Sequence, residues 1–531
     1  MCAYRGREGM NSNRGDGQGG RGGSPRDAHG DRGGYKGRSD SRERSNGRKD
    51  ADGRRVGGGR RVYVGNGGRS GGNARASHSG RSSQAPRRLE NHASPARIAA
   101  CLSCRIVRER DAFVSEVVPG VVSRMGPMKP EDVAFATRLA RGVVATSGAL
   151  DDFINRNLYS PADIQPNVRD ALRVSAYELL YLKKDDYVAV DQGVELVAYV
   201  EPKARALANA VLRKMARTAS RWPFGDVGTD VVALSRKVAF PSWMAKRLVE
   251  EMGREQAAAF MEASNGDAPV HAAVNAIRAT DEEVLAVLQE QGADPNLVEG
   301  IPGCIRIGTP KAIRSDVVTK LFEDGKVLIS DPSAQKVASF ALPGEPPSAF
   351  IEVGSGRGTK TVLMQSNAMR KYGKQFPIVS VDDHPFKAKL LRNRAREYGL
   401  TSVQTKVADG RKLTSLYEKG SFDAVFVDAP CSGVGTLRRH PEIRWRLTER
   451  DVAKMADVQL DILIDAASLV KTGGQVVYST CTVFREENER VVERFLKTKF
   501  GERFEMTEML KMSLEEDGPD AHFAVRLTKR F

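Results

Sequence analysis

The sequence predicts a multidomain chain. It reads as a disordered Arg/Gly-rich tail, an all-α domain, a small α+β adaptor and a C-terminal α/β domain with an open, mostly parallel sheet. Three observations predict this. From residue 348 onward, short β-rich apolar runs alternate with helical stretches. Between residues 94 and 218 apolar side chains recur at helical spacing. Residues 1–93 are rich in Arg, Gly, Ser and Asn and hold few aliphatic side chains. The 531 residues suit three to four units, at about 150 residues each.

Residues 1–93 cannot bury enough apolar surface to offset the entropy of ordering, so disorder is expected there. Gly57-Gly58-Gly59-Arg60-Arg61 and Gly67-Gly68-Arg69 resemble RGG-type tails, which attract phosphates without sequence preference and lose affinity as salt rises. The other reading is a solubilising tail with no dedicated partner. A net charge of +16 favours a polyanionic partner, nucleic acid before an anionic membrane. No apolar run approaches the ~18 residues of a membrane span. The N-terminus lacks the apolar stretch of a secretory signal. Six cysteines in so long a chain do not look like a disulfide framework. A cytoplasmic, reducing compartment is therefore expected.

In residues 94–218, Asp132-Val133-Ala134-Phe135-Ala136-Thr137-Arg138-Leu139-Ala140 and the run 168–182 carry the helical period. A helical bundle fits. Phe135-Ala136 with Arg141-Gly142, Leu172-Arg173 with Tyr177-Glu178-Leu179-Leu180, and Asn209-Ala210-Val211-Leu212-Arg213 resemble a NusB-type domain. That resemblance implies binding of RNA or protein, whereas periodicity alone shows only a packed face. Cys101 and Cys104 form a lone C-x-x-C. A zinc site needs a second ligand pair and a redox motif wants a βαβ context, so both read as small residues on a helix, and no metal site is expected.

Residues 219–347 are mixed. Pro241-Ser242-Trp243-Met244-Ala245-Lys246-Arg247-Leu248 opens a helix, and residues 281–291 form another with Glu282 and Glu283 in its first turn. Residues 270–277 and 326–330 read as strands. From residue 348, the strands are 349–353, 377–381, 403–407, 424–427 and 475–478, with helices at 386–398 and 451–469.

The chemistry gathers at the ends of these strands. Glu352-Val353-Gly354-Ser355-Gly356-Arg357-Gly358-Thr359-Lys360 follows a strand and precedes a helix, where glycines let the backbone approach a ligand. Asp382 ends the next strand, where an acid commonly holds ribose hydroxyls. Asp409 follows the third and is placed to bond an adenine amine. Either aspartate alone could be a helix cap or a turn. Together with the loop they suit an adenosine-bearing cofactor, without separating S-adenosylmethionine from a dinucleotide. The fourth strand stops at Asp428-Ala429-Pro430-Cys431-Ser432-Gly433 and the fifth at Ser479-Thr480-Cys481. Ligands bind beyond the carboxyl ends of such strands, so both thiols face one crevice. A cysteine taken alone is more often a small buried residue. The pair points to covalent catalysis on a pyrimidine.

Asp428-Ala429-Pro430-Cys431-Ser432-Gly433-Val434-Gly435, Arg438-Arg439-His440-Pro441 and Tyr478-Ser479-Thr480-Cys481-Thr482 resemble the RsmB/Nop/Sun family of RNA cytosine-5 methyltransferases. The resemblance covers residues 94–531, and the NusB-like part points to the bacterial small-subunit rRNA branch. It implies a Rossmann-like class I methyltransferase domain and S-adenosylmethionine as cofactor, held by Glu352, Gly354, Ser355, Gly356, Arg357, Gly358, Asp382, Asp409 and Asp428. It makes Cys481 the nucleophile on cytosine C6 and Cys431 the helper in product release. Asp428 engages the base edge, and Lys360 positions the cofactor or Asp428. Arg438, Arg439 and Arg444 read as holders of the flanking RNA backbone, or as a solvated basic face. DNA cytosine-5 methyltransferases use a single Pro-Cys-Gln motif; the second cysteine here favours RNA. Two stretches depart from the family pattern. Arg357 and Thr359 stand where Pro and Gly are usual, and Ala272-Ala273 where Leu-Arg usually precedes Val-Asn. Two rival expectations stay open: the same chemistry on tRNA, and a non-catalytic RNA-binding factor in ribosome assembly.

Overall fold

The computed structural model describes residues 93–531. The expected disorder of the tail and its RNA contact fall on residues 1–92, outside the described residues. No helix among the described residues is long and apolar enough to cross a membrane.

The N-terminal helices are α1 (Pro95–Arg110), α2 (Val114–Arg124), α3 (Pro130–Asn157), α4 (Pro166–Leu180), α5 (Asp186–Val200) and α6 (Arg205–Thr218). Ser94 caps α1, and Glu131 and Asp132 place negative charge in the first turn of α3. Leu139, Leu150, Phe153, Ile154, Leu172 and Leu212 lie in one core. Cys101 and Cys104 lie on α1 inside it, as expected. Burial pushes the Cys101 thiol up to about 12, and the Cys104 thiol upward as well.

Helices α7 (Val231–Lys237), α8 (Ser242–Met252) and α9 (Arg254–Ala263) follow. Then come β1 (His271–Val274), α10 (Asp281–Glu290), β2 (Pro295–Leu297), β3 (Cys304–Ile307), α11 (Asp316–Glu323) and β4 (Val327–Ile329). The four strands make an antiparallel sheet in the order β2-β3-β1-β4. Ala272 and Ala273 are buried in β1, one in the adaptor core and one against the next domain. Asn275, just after β1, donates to Gly325 O at 2.8 Å and to Tyr398 O at 2.9 Å, tying the two domains together.

The C-terminal part opens with α12 (Pro332–Phe340) and continues as β5 (Phe350–Val353), α13 (Thr359–Tyr372), β6 (Ile378–Asp382), α14 (Pro385–Glu397) and β7 (Val403–Val407). It ends with β8 (Phe422–Asp428), α15 (Ile443–Arg446), α16 (Glu449–Ser468), β9 (Val470–Thr480), α17 (Glu489–Leu496), β10 (Phe504–Met512) and β11 (His522–Lys529). The sheet order is β10-β11-β9-β8-β5-β6-β7. Strands β5 to β9 pair in parallel, as the βα alternation predicts. The last two strands, which the sequence reading did not place, make the sheet mostly rather than wholly parallel. β11 runs antiparallel to β9, and β10 to β11. Edge strand β10 is largely exposed and carries Glu505, Glu508 and Lys511, so it shows no apolar run.

The helical domain docks beside the loops that follow β8. Trp445 on α15 donates its indole N–H to Ala145 O at 2.8 Å. A Cβ at Gly148 would stand 2.2 Å from that indole, so the ring lies flush on α3. Arg446 reaches Ala112 O at 2.7 Å and Asp111 at 2.8 Å.

Candidate active site

Parallel strands β8 and β9 are neighbours, with Asp428 opposite Ser479. Their carboxyl-terminal loops therefore emerge side by side. Cys431 Sγ lies 3.2 Å from Cys481 Sγ, and Cys481 N–H donates to Cys431 Sγ at 3.2 Å. Cys431 is buried and Cys481 is partly exposed. The tight packing needs Gly435. Its N–H donates to Cys481 O at 2.9 Å, and a Cβ there would stand 2.2 Å from Ala521 O. Asp428 closes the other side. Lys360 Nζ lies 2.9 Å from both its oxygens, and Ser479 Oγ donates to Oδ1 at 3.2 Å. The thiols, the carboxylate and the ammonium expected from sequence thus converge.

The glycine loop lies between β5 and α13. Gly354 N–H and Ser355 N–H donate to Val381 O at 2.9 and 3.0 Å. Gly354, Gly356 and Gly358 have φ of +84°, +57° and +83°. A Cβ at Gly354 would meet Asp428 O at 2.2 Å, so the loop presses on the end of β8. Asp382 accepts from Gly356 N–H at 3.0 Å and from His384 N–H at 3.0 Å. The two departures have partners. Thr359 Oγ1 accepts from Arg394 at 2.9 Å, and Arg357 turns outward to Glu116 of the helical domain at 3.5 Å. Ser355 Oγ is buried without a hydrogen-bond partner. A side-chain-free cradle, an orphaned hydroxyl and an acid at the end of β6 fit an adenosine-bearing cofactor. Asp409 keeps a third of its surface, and Arg411 grips its carboxylate at 2.8 Å.

Glu352 is wholly buried; its Oε2 accepts from Thr361 at 2.6 Å and Ser380 at 2.7 Å, which braces β5 against α13 and β6, while its Oε1 is buried without a hydrogen-bond partner. Burial pushes its carboxyl up to about 7. The three arginines neither reach out for RNA nor form a solvated face. Arg438 is buried on Asp520 at 2.9 Å, and Arg439 bridges Asp520 and Asp331, each at 2.7 Å. Arg444 is enclosed, donating to Ala239 O, Ser264 O and Asn265, with its guanidinium over the Phe240 ring at 4.3 Å. Each is an internal fastener because its acceptors come from segments far away in sequence.

Sequence reasoning missed Ser479, Gln459, Glu487 and Asn488. Gln459 Nε2 donates to Pro430 O at 2.8 Å, and Glu487 Oε1 accepts from Ser432 N–H at 2.8 Å. An acid and an amide beginning six residues after Cys481 were the available signal.

Comparison with known proteins places this geometry. Residues 340–526 match the family model for 16S rRNA methyltransferase RsmB/F. Residues 94–217 match the NusB family, and residues 240–314 the ferredoxin-like domain of RsmF/B-like methyltransferases. The probable ribosomal RNA small subunit methyltransferase B of Bacillus subtilis is 29% identical over 399 residues, covering 75% of this chain and 87% of its own length. Ribosomal RNA small subunit methyltransferase B of Escherichia coli strain K12 is 29% identical over 405 residues, covering 76% of this chain and 90% of its own. The crystal structure of PH0851 superposes with a TM-score of 0.68 at 22% identity, covering 82% of this chain and 99% of that one; it shares the fold. Matching domains in the same order span most of the described residues, and residues 340–526 form a methyltransferase domain of the RsmB/F type, with S-adenosylmethionine as its cofactor.

Proposed function

We propose that this protein methylates C5 of a cytosine in RNA, and that the RNA is 16S rRNA before subunit assembly is complete, in the cytoplasm. One observation carries the reading: two thiols 3.2 Å apart at the ends of adjacent strands, with Asp428 alongside. Bound S-adenosylmethionine, in the cradle of Gly354, Ser355, Gly356, Gly358 and Asp382, supplies an electrophilic methyl group. The target base is flipped out of its stack to reach the thiols. Cys481 adds as thiolate to C6, which moves electron density to C5 and makes it nucleophilic. Asp428, held by Lys360 and Ser479, meets the N3 and amino edge and stabilises the adduct. After transfer, C5 carries both the methyl group and a proton. Cys431 accepts that proton, the C6–S bond breaks, and the Cys481 thiolate and the aromatic base are restored.

The test supplies purified protein with labelled S-adenosylmethionine and unmodified 16S rRNA, with tRNA in parallel. Label on C5 of a cytosine in the rRNA supports the proposal. Label on tRNA alone keeps the chemistry and overturns the substrate. Cofactor and rRNA binding with no label on either RNA points instead to an assembly factor.

A further inference from the structure

Both thiols sit on loops, and a loop keeps its geometry only where buried groups hold it. The residues on either side of each cysteine are held. Pro430 O accepts from Gln459 Nε2 at 2.8 Å, and Ser432 N–H donates to Glu487 Oε1 at 2.8 Å. Gln459 Nε2 also donates to that same Glu487 oxygen at 3.0 Å, so one linked pair grips both flanks of Cys431. Asn488 does the same for Cys481. Its Nδ2 donates to Thr482 O at 3.0 Å, and its Oδ1 accepts from Thr480 Oγ1. Tyr478 Oη donates to Glu487 O at 2.6 Å, which fixes the clamp to β9. Glu487, Asn488, Gln459 and Tyr478 are all buried to within 1%.

We propose that Glu487 and Asn488 are paired positioning residues, each holding one thiol loop, and that together they set the separation of Cys431 and Cys481. The inference rests on the two-thiol reading above and adds to it a division of labour. Because the two side chains are adjacent in the chain, the two loops are referred to a single rigid point. The Asn488 side chain bonds only the loop of the nucleophile, whereas the main hold of Glu487, on Ser432 N–H and on Gln459, is on the loop of the residue that completes release, with a further contact to Thr482. Ser432 N–H and Gln459 Nε2 both meet the same oxygen of Glu487, Oε1, so a glutamine that keeps a carbonyl oxygen there retains both bonds.

The experiment follows single turnovers of the full chain on 16S rRNA and resolves the protein–RNA adduct on denaturing gels. Asn488→Ala is expected to slow adduct formation by about tenfold or more, since an ångström of misplacement is costly, with release unchanged. Glu487→Ala is expected to form the adduct normally and accumulate it, as Cys431→Ala does. Glu487→Gln, which retains an acceptor for Ser432 N–H, is expected to restore release. Equal slowing of both steps in step with lost thermal stability overturns the proposal, as does no effect on either. A second readout needs no RNA. A diazene oxidant removes two electrons and two protons from thiols in contact and leaves a disulfide, so its rate reports their spacing. Slower Cys431–Cys481 cross-linking in both alanine variants but not in Glu487→Gln supports the clamp; unchanged rates overturn it. If Cys431→Ala itself accumulates no adduct, the two-thiol reading has failed, and the cross-linking rates still decide the clamp.

Discussion

A guanidinium taken out of water needs acceptors for its donors, and Arg444 finds them for its two terminal nitrogens. These donate to two carbonyls and one side-chain amide, while Nε is buried without a hydrogen-bond partner, in a pocket where burial pushes its pKa down to about 9. Arg444→Ala removes the donors that reach Ala239 O, Ser264 O and Asn265 Oδ1. It is expected to cost on the order of 2–4 kcal/mol in urea unfolding. Molecules that remain folded should bind RNA as the parent does; a selective loss of RNA affinity without loss of stability would return Arg444 to the RNA surface. The contrast with the cysteines shows what a sequence reveals at this scale. Cys431, Cys481 and Asp428 were legible because the strand that presents each one is written in the residues just before it. The fate of Arg438, Arg439 and Arg444 was not, because their partners lie near residues 239, 265, 331 and 520.

At the scale of elements, the glycine loop works by what it lacks. Gly354 combines a φ of +84° with a Cβ position 2.2 Å from Asp428 O. Gly354→Ala is expected to push the loop off β8 and weaken cofactor binding at least ~10-fold in equilibrium dialysis, from backbone strain and the lost approach. Beneath the loop, Glu352 links β5, β6 and α13 from a wholly buried position. Its pKa is raised from an ordinary 4.5 to about 7. The folded state thus binds the proton more tightly than the unfolded chain does, so this contribution to stability is complete below about 4.5 and is lost as pH rises through about 7. Urea midpoints should fall across that window, and Glu352→Gln should flatten the fall, with Glu487, likewise raised to about 7, among the groups that contribute to the rest. An unchanged slope in Glu352→Gln would show that the carboxyl is not buried as described. The parallel strands were legible because five short apolar runs recur with helical stretches between several of them. Strand β10 was not, since it buries too little of its length to leave a pattern.

For the whole molecule, the helical domain and the catalytic loops are joined through α15. Trp445 lies against Gly148 and bonds to Ala145, while Arg446 holds the α1–α2 turn. Trp445→Ala is expected to remove about 3 kcal/mol of docking and to let the helical domain melt in a separate, earlier calorimetric transition; a single transition at the parental temperature would contradict this. The order of domains was legible from composition and period. Their docking was not, because the surfaces involved combine residues more than two hundred positions apart, such as Arg357 with Glu116 and Arg446 with Asp111.

The central claim is that the two thiols divide one reaction between them. The most direct measurement is the covalent protein–RNA adduct formed by Cys431→Ala and by Cys481→Ala with S-adenosylmethionine and unmodified 16S rRNA. The account predicts a stable adduct with methylated C5 for Cys431→Ala, and neither adduct nor methylation for Cys481→Ala. An adduct that survives in Cys481→Ala, or efficient turnover in Cys431→Ala, would contradict it.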